Sequence, residues 1–145
     1  MFRQLLAVAL LFGLAACQLP KDPENTTQTV QGAVLKVGLL QDPLPQIDLT
    51  AVTLIADALN AKVEWHRENT HRMLDALEVG DLHLLAGGIP EDSPLTDHAG
   101  ATNPIGYVTI GADRPERVLL LRRGENQFLM RANMALRPLT REAKQ

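Results

Sequence analysis

The sequence predicts an α/β fold, a small, mostly parallel sheet flanked by helices. Three observations carry that expectation. From residue 33 onward, short apolar runs alternate with stretches of helical period in the order strand, helix, strand, helix, strand. Strands joined through helices run parallel and cross over right-handedly. The chain has 145 residues, 46% apolar and 21% charged, which suits one globular domain with a packed core. Its single cysteine excludes a disulfide scaffold and a cysteine-rich zinc site, so apolar packing has to supply the stability.

The first segment reads as an address. Arg3 precedes an apolar run over residues 5–14, and the small residues Ala15 and Ala16 follow. This is the pattern of a secretory signal peptide, here residues 1–16. The run is too short to anchor as a spanning helix, and no later stretch reaches the ~18 apolar residues that crossing a bilayer needs. Leu14, Ala15, Ala16 and Cys17 resemble the lipobox, the cleavage motif of bacterial lipoproteins. That resemblance implies cleavage before Cys17, acylation of Cys17 and a protein held by lipid on the periplasmic face of a membrane. Gln18, standing where an aspartate would retain such a protein at the inner membrane, implies the outer membrane. Lipidation also consumes a thiol that would otherwise stand alone in an oxidising compartment. Residues 17–32 read as the lipidated cysteine and a flexible tether, because Pro20, Pro23 and a polar run show no apolar period. The folded domain is expected over residues 33–145.

Within it, residues 33–40 form an apolar run ended by Gln41, Asp42 and Pro43, a buried strand and its turn. Asp48 is placed to cap a helix starting at Leu49, with Val52, Ile55, Ala56 and Leu59 inward and Asn60 at its end. Residues 62–66 alternate as a strand. Asn69 or Thr70 caps a second helix carrying Met73, Leu74, Leu77 and Val79, stopped by Gly80. Residues 82–86 form a third strand that ends at Gly87 and Gly88. Residues 87–104 read as a long loop, a kind of segment often functional. Residues 105–110 and 117–121 read as two more strands around a turn at 111–115. Glu125 or Asn126 opens a last helix with Phe128, Leu129, Ala132, Ala135 and Leu136 inward, and Pro138 is expected to end it. Residues 18–113 carry 5 basic and 14 acidic side chains, net −9, whereas residues 114–145 carry 8 basic and 3 acidic, net +5. A basic last helix packed beside acidic elements and a basic face for anionic lipid or a partner both fit this split.

Candidate chemistry follows from strand ends, where open parallel sheets bind ligands. Here these are Gln41 and Asp42 after the first strand and Gly87, Gly88 and Ile89 after the third, with Thr102 and Asn103 from the long loop joining them. The two glycines allow close backbone approach to a ligand, and equally make a plain turn. Asp42 before Pro43 is also a turn-former. The histidines His66, His71, His83 and His98 lack metal-ligand spacing, and His83 sits in an apolar strand as a core histidine would. The sole serine, Ser93, lies in no nucleophile elbow, and Glu91, Asp92 and Asp97 read as solvated loop charges. No phosphate-loop or dinucleotide fingerprint is present, so neither an enzyme nor a cofactor, metal or catalytic residue is expected. Aromatics at 3% exclude a base-stacking platform for nucleic acid.

Five stretches in order resemble the type 2 periplasmic solute-binding proteins, in the family of polar amino-acid receptors of ABC transporters. They are residues 35–38, residues 48–64, residues 74–82, Ala86 to Gly88 followed by Thr102, Asn103 and Pro104, and residues 123–136. The resemblance implies one lobe of that fold, the first. The second lobe is missing, because only the turn at 111–115 separates the last two strands. The position of the family's carboxylate-gripping arginine falls at Leu95, and that of its aromatic before the turn at Ala101. The function implied is a lipid-anchored, solute-binding-like module, accessory to transport or sensing of a small polar solute. A membrane-protein partner or a second copy would complete its crevice. The alternative is a non-catalytic interaction or regulatory lipoprotein, with residues 118–121 and the basic last helix as its contact.

Overall fold

The computed structural model describes residues 19–145. The expected signal peptide, Cys17 and Gln18 lie outside the described residues.

The elements are α1 (Thr26–Val30), β1 (Val34–Leu39), α2 (Gln46–Ala58), β2 (Lys62–His66), α3 (Thr70–Val79), β3 (Leu84–Pro90), β4 (Gly100–Ala101), β5 (Gly106–Tyr107), β6 (Glu116–Leu121), α4 (Asn126–Ala135) and α5 (Arg137–Ala143). One sheet of order β2-β1-β3-β6-β4 carries them, and β5 also pairs with β6. β1 is parallel to β2 and to β3, the two βαβ crossovers that the alternating pattern dictates. The C-terminal half is antiparallel, with β3, β4 and β5 all pairing to β6. The sheet is therefore mixed, and parallel in the three strands that the helices connect.

Helices cover both faces. α1, α2 and α4 pack on one, around Leu35, Ile55, Leu119 and Phe128. α3 packs on the other, around Met73, Leu77, Leu85 and Leu120. Each fully buried Leu or Phe of these layers contributes about 1.5–3 kcal/mol. Gly38 of β1 is needed on the α3 face, because a Cβ there would stand 2.6 Å from Leu85 Cδ2 and 2.9 Å from the sulfur of Met73. The stop and cap signals of α3 act as the sequence predicts: Asn69 accepts from the Arg72 N–H, and Gly80 takes φ 86°.

Several boundaries differ from expectation for physical reasons. α2 begins at Gln46, after Pro45, whose fixed φ suits a helix start; Asp48 lies inside the first turn, fully buried, and is not the cap. β3 does not stop at residue 86. It runs through Gly87 and Gly88 to Pro90 by a bulge, with φ of 134° and 64° at the glycines and a register shift between Leu85 and Ile89. The long loop consequently shrinks to a 3₁₀ turn (Pro94–Asp97), capped by Ser93, and β4. The strand expected over 105–110 is reduced to β5, and Ile110 and Asp113 close the turn toward β6. Residues 118–121 are buried between β3 and β4, so they offer no surface to a partner. Pro138 occupies the first turn of α5, where a missing N–H costs nothing, so a further helix follows the expected end.

The largest correction is the tether. Residues 22–32 are folded onto the domain through two carboxylates that cap each other's helices. Asp22 accepts from the Phe128 N–H in the first turn of α4 at 2.9 Å, and from both the N–H and hydroxyl of Thr27. Glu125, just before α4, accepts from the Glu24 and Thr26 N–H groups at the start of α1, at 3.1 and 3.0 Å. Val30 completes the attachment in the core. Negative charge at a helix N-terminus is favourable, and these hydrogen bonds to ionised groups are strong. Replacing Asp22 with Ala should therefore lower unfolding free energy by about 3 kcal/mol in urea titrations, with three buried donors left unpaired; a flexible tether would show no loss.

Candidate functional site

The carboxyl ends of β1 and β3 meet at one corner of the sheet. The Leu40 N–H donates to the Ala86 carbonyl at 2.8 Å, which draws the two strand ends together. Only glycine fits next on β3: a Cβ on Gly87 would lie 2.6 Å from the Gln41 amide nitrogen. The Gln41 side chain then folds over Gly88, its Oε1 2.8 Å from where a Cβ would stand. The Gly88 N–H faces both oxygens of Asp48 at 3.4 Å. Arg117 of β6 binds Asp48 through Nη1 and donates from Nε to the Tyr107 carbonyl at 3.2 Å. Asp48 is wholly buried and the Arg117 side chain is 12% exposed. The corner thus offers an exposed carboxamide and kinked glycine backbone above a neutralised ion pair. It can donate and accept hydrogen bonds without a net charge of its own.

Of the residues expected at the site, Gln41, Gly87 and Gly88 come together here, and the others do not. Asp42 turns away to pair with Arg67 at 2.8 Å, with both groups more than half exposed and the pair correspondingly weak. It lines a 220 Å³ notch with Leu44, Leu49 and Trp65. Ile89 is core, packed with Met73 and Val118. Thr102 is buried, its hydroxyl accepting from the Leu119 N–H at 3.0 Å, and β6 separates it from the two glycines. Asn103 donates its N–H to Asn133 of α4 and lines a groove along that helix. Glu91, Asp92 and Asp97 are exposed, as solvated loop charges would be.

Asp48 and Arg117 are the site residues that sequence reasoning missed. Asp48 carries the signature of a helix cap, and Arg117 that of a surface charge at a strand start. Their partnership spans 69 residues, and no local pattern encodes it.

His83 sits just before β3, away from the corner. Its Nδ1 accepts from the Lys36 backbone N–H at 3.1 Å, and the His83 backbone N–H donates to the Lys36 carbonyl. Burial and the neighbouring Lys36 charge hold its pKa below the usual histidine range, against the pull of Glu64 and with a smaller push from His66. Neutral His83 is therefore the form that the fold selects.

Two outcomes follow. Arg117→Met should cost about 3–5 kcal/mol in denaturant unfolding, by stranding a buried carboxylate, and adding Asp48→Leu should restore most of the loss. The stability held by neutral His83 is present above about pH 6.5 and is lost as pH falls from there through its lowered folded value, with a slope of at most about 1.4 kcal/mol per pH unit. Comparing urea midpoints at neutral and mildly acidic pH for wild type and His83→Gln should show a shallower fall in the variant.

No family profile matches the sequence, and no curated protein matches it. Solved structures are similar. The arginine-bound form of domain 1 from TmArgBP matches at 15% identity and a TM-score of 0.59, over 72% of this chain and 92% of that one. An ancestral arginine-binding protein bound to glutamine matches at 12% identity and 0.62, over 79% and 94%. The L-cystine solute receptor of Neisseria gonorrhoeae, unliganded and open, matches at 10% identity and 0.59, over 77% and 88%. These neighbours are amino-acid solute-binding proteins. At such identities the likeness establishes the fold: a helix-flanked sheet matching a single lobe of a type 2 periplasmic binding protein.

Proposed function

We propose that this chain is a lipid-anchored periplasmic solute-binding-like module, held at the outer membrane through Cys17. The corner formed by Gln41, Gly87 and Gly88 over the Asp48–Arg117 pair meets a small polar solute, with amino acids the first class to consider. The observation that carries this reading is the corner itself. Polar groups of both hydrogen-bonding senses converge at the carboxyl ends of β1 and β3, where open α/β sheets bind ligands. The arginine-bound form of domain 1 from TmArgBP supports it, since a lone domain of similar fold is able to bind a solute. One face of the corner stays open to water, so capture by the chain alone is weak. That suits an accessory role in transport or sensing, with a membrane protein or a second copy closing the crevice.

Thermal-shift measurements on residues 19–145 with amino acids, amines and organic acids test this reading. A solute at 100 times its dissociation constant should add about 2.7 kcal/mol of stability. Gln41→Ala should abolish that gain while changing the ligand-free stability by no more than about 0.5 kcal/mol, because the side chain is exposed. Silence across all three solute classes would retire the proposal.

A further inference from the structure

We propose that the exposed groove of α4 beside Pro20 is a membrane-contacting surface, resting on the headgroups of the bilayer that anchors the chain. The inference rests on the acylation of Cys17 proposed above and adds an orientation to it. The Lys21 carbonyl accepts from the Asn126 N–H at 3.2 Å, and Asp22 is buried against α4. The chain is therefore locked to the domain four residues after Cys17. Four residues extend no further than about 14 Å, whereas a domain of this size is about 35 Å across. So short a link holds one face of the domain against the bilayer and prevents it from rolling over.

The structure shows which face that is. Leu19 is 76% exposed, and Pro20 lies on the rim of a 430 Å³ groove. Met130 and Met134 line that groove at 38% and 48% exposure. Among the described residues, Arg137 is the sole charged one lining it, and no carboxylate does. Flexible apolar tips beside a cation match the boundary between acyl chains and anionic headgroups. The N-terminal segment joins the domain beside Gly124 and Asn126, just after β6 leaves the sheet. Leu121 pairs there with Leu84, at the end of β3 opposite Gly87 and Gly88, so the corner stays clear of the membrane.

The test uses the full chain purified with its modifications, in vesicles of phosphatidylethanolamine and phosphatidylglycerol carrying a headgroup nitroxide. Trp65, the only tryptophan, lies on the far-edge strand β2 and reports on the opposite side. In a Trp65→Phe/Met130→Trp protein, fluorescence should be quenched about twofold or more beyond that of Trp65, as interfacial insertion requires. Trp65→Phe/Met134→Trp gives an independent reading should the first variant fold poorly. Mass spectrometry of the same sample reports on Cys17. An acylated chain with equal quenching at both reporters overturns the orientation alone. A chain without acyl groups overturns the anchor and the orientation with it.

Discussion

Asp48 and Arg117 form the interaction on which the geometry of the corner depends. Asp48 belongs to the parallel half of the fold, in the first turn of α2. Arg117 belongs to the antiparallel half, near the start of β6. Their pairing joins the two halves at the sheet's carboxyl edge. A buried ion pair gains little net stability, because desolvating both charges offsets their attraction. Its consequence here is positional. The carboxylate faces the Gly88 N–H, and the guanidinium holds the Tyr107 carbonyl, so the bulge in β3 and the end of β5 are fixed together. The bulge turns the glycine backbone toward Gln41, and the corner exists because of it.

A pair of carboxylates fastens the N-terminal segment to the domain. Asp22 and Glu125 each cap a helix that belongs to the other's segment. That exchange converts a stretch with the composition of a linker into part of the fold, and it leaves only a few residues between Cys17 and the first contact with the domain. The proposed solute contact and the proposed membrane contact then fall on different parts of one small body: the carboxyl edge of the sheet for the first, the α4 groove for the second.

The parts of the fold legible in the sequence are those with local causes. β1, α2, β2 and α3 follow from apolar period, and Asn69, Gly80 and the turn after Leu40 from cap and turn chemistry. The parts that were not legible have distant causes. α1 has no apolar stripe, and it folds because Asp22 and Glu125 each accept from backbone N–H groups about a hundred residues away. Gly87 and Gly88 read as a strand end because a bulge and a turn share the same residues. At the site, Gln41 and the two glycines were legible from strand ends alone. Thr102 was misplaced because its hydroxyl is consumed by the Leu119 N–H, and the central ion pair was invisible because each partner has a plausible surface role.

On the proposed reading, the open corner meets a small polar solute through Gln41 and the kinked glycines of β3. A two-dimensional amide NMR titration of the chain with the common amino acids, amines and organic acids tests this contact residue by residue. Shift changes gathered at Gln41, Gly87 and Gly88, and at the side-chain Nε–H of Arg117, are the predicted result. Spectra that no solute of these three classes perturbs, or changes confined to the notch around Trp65 and Asp42, would contradict it.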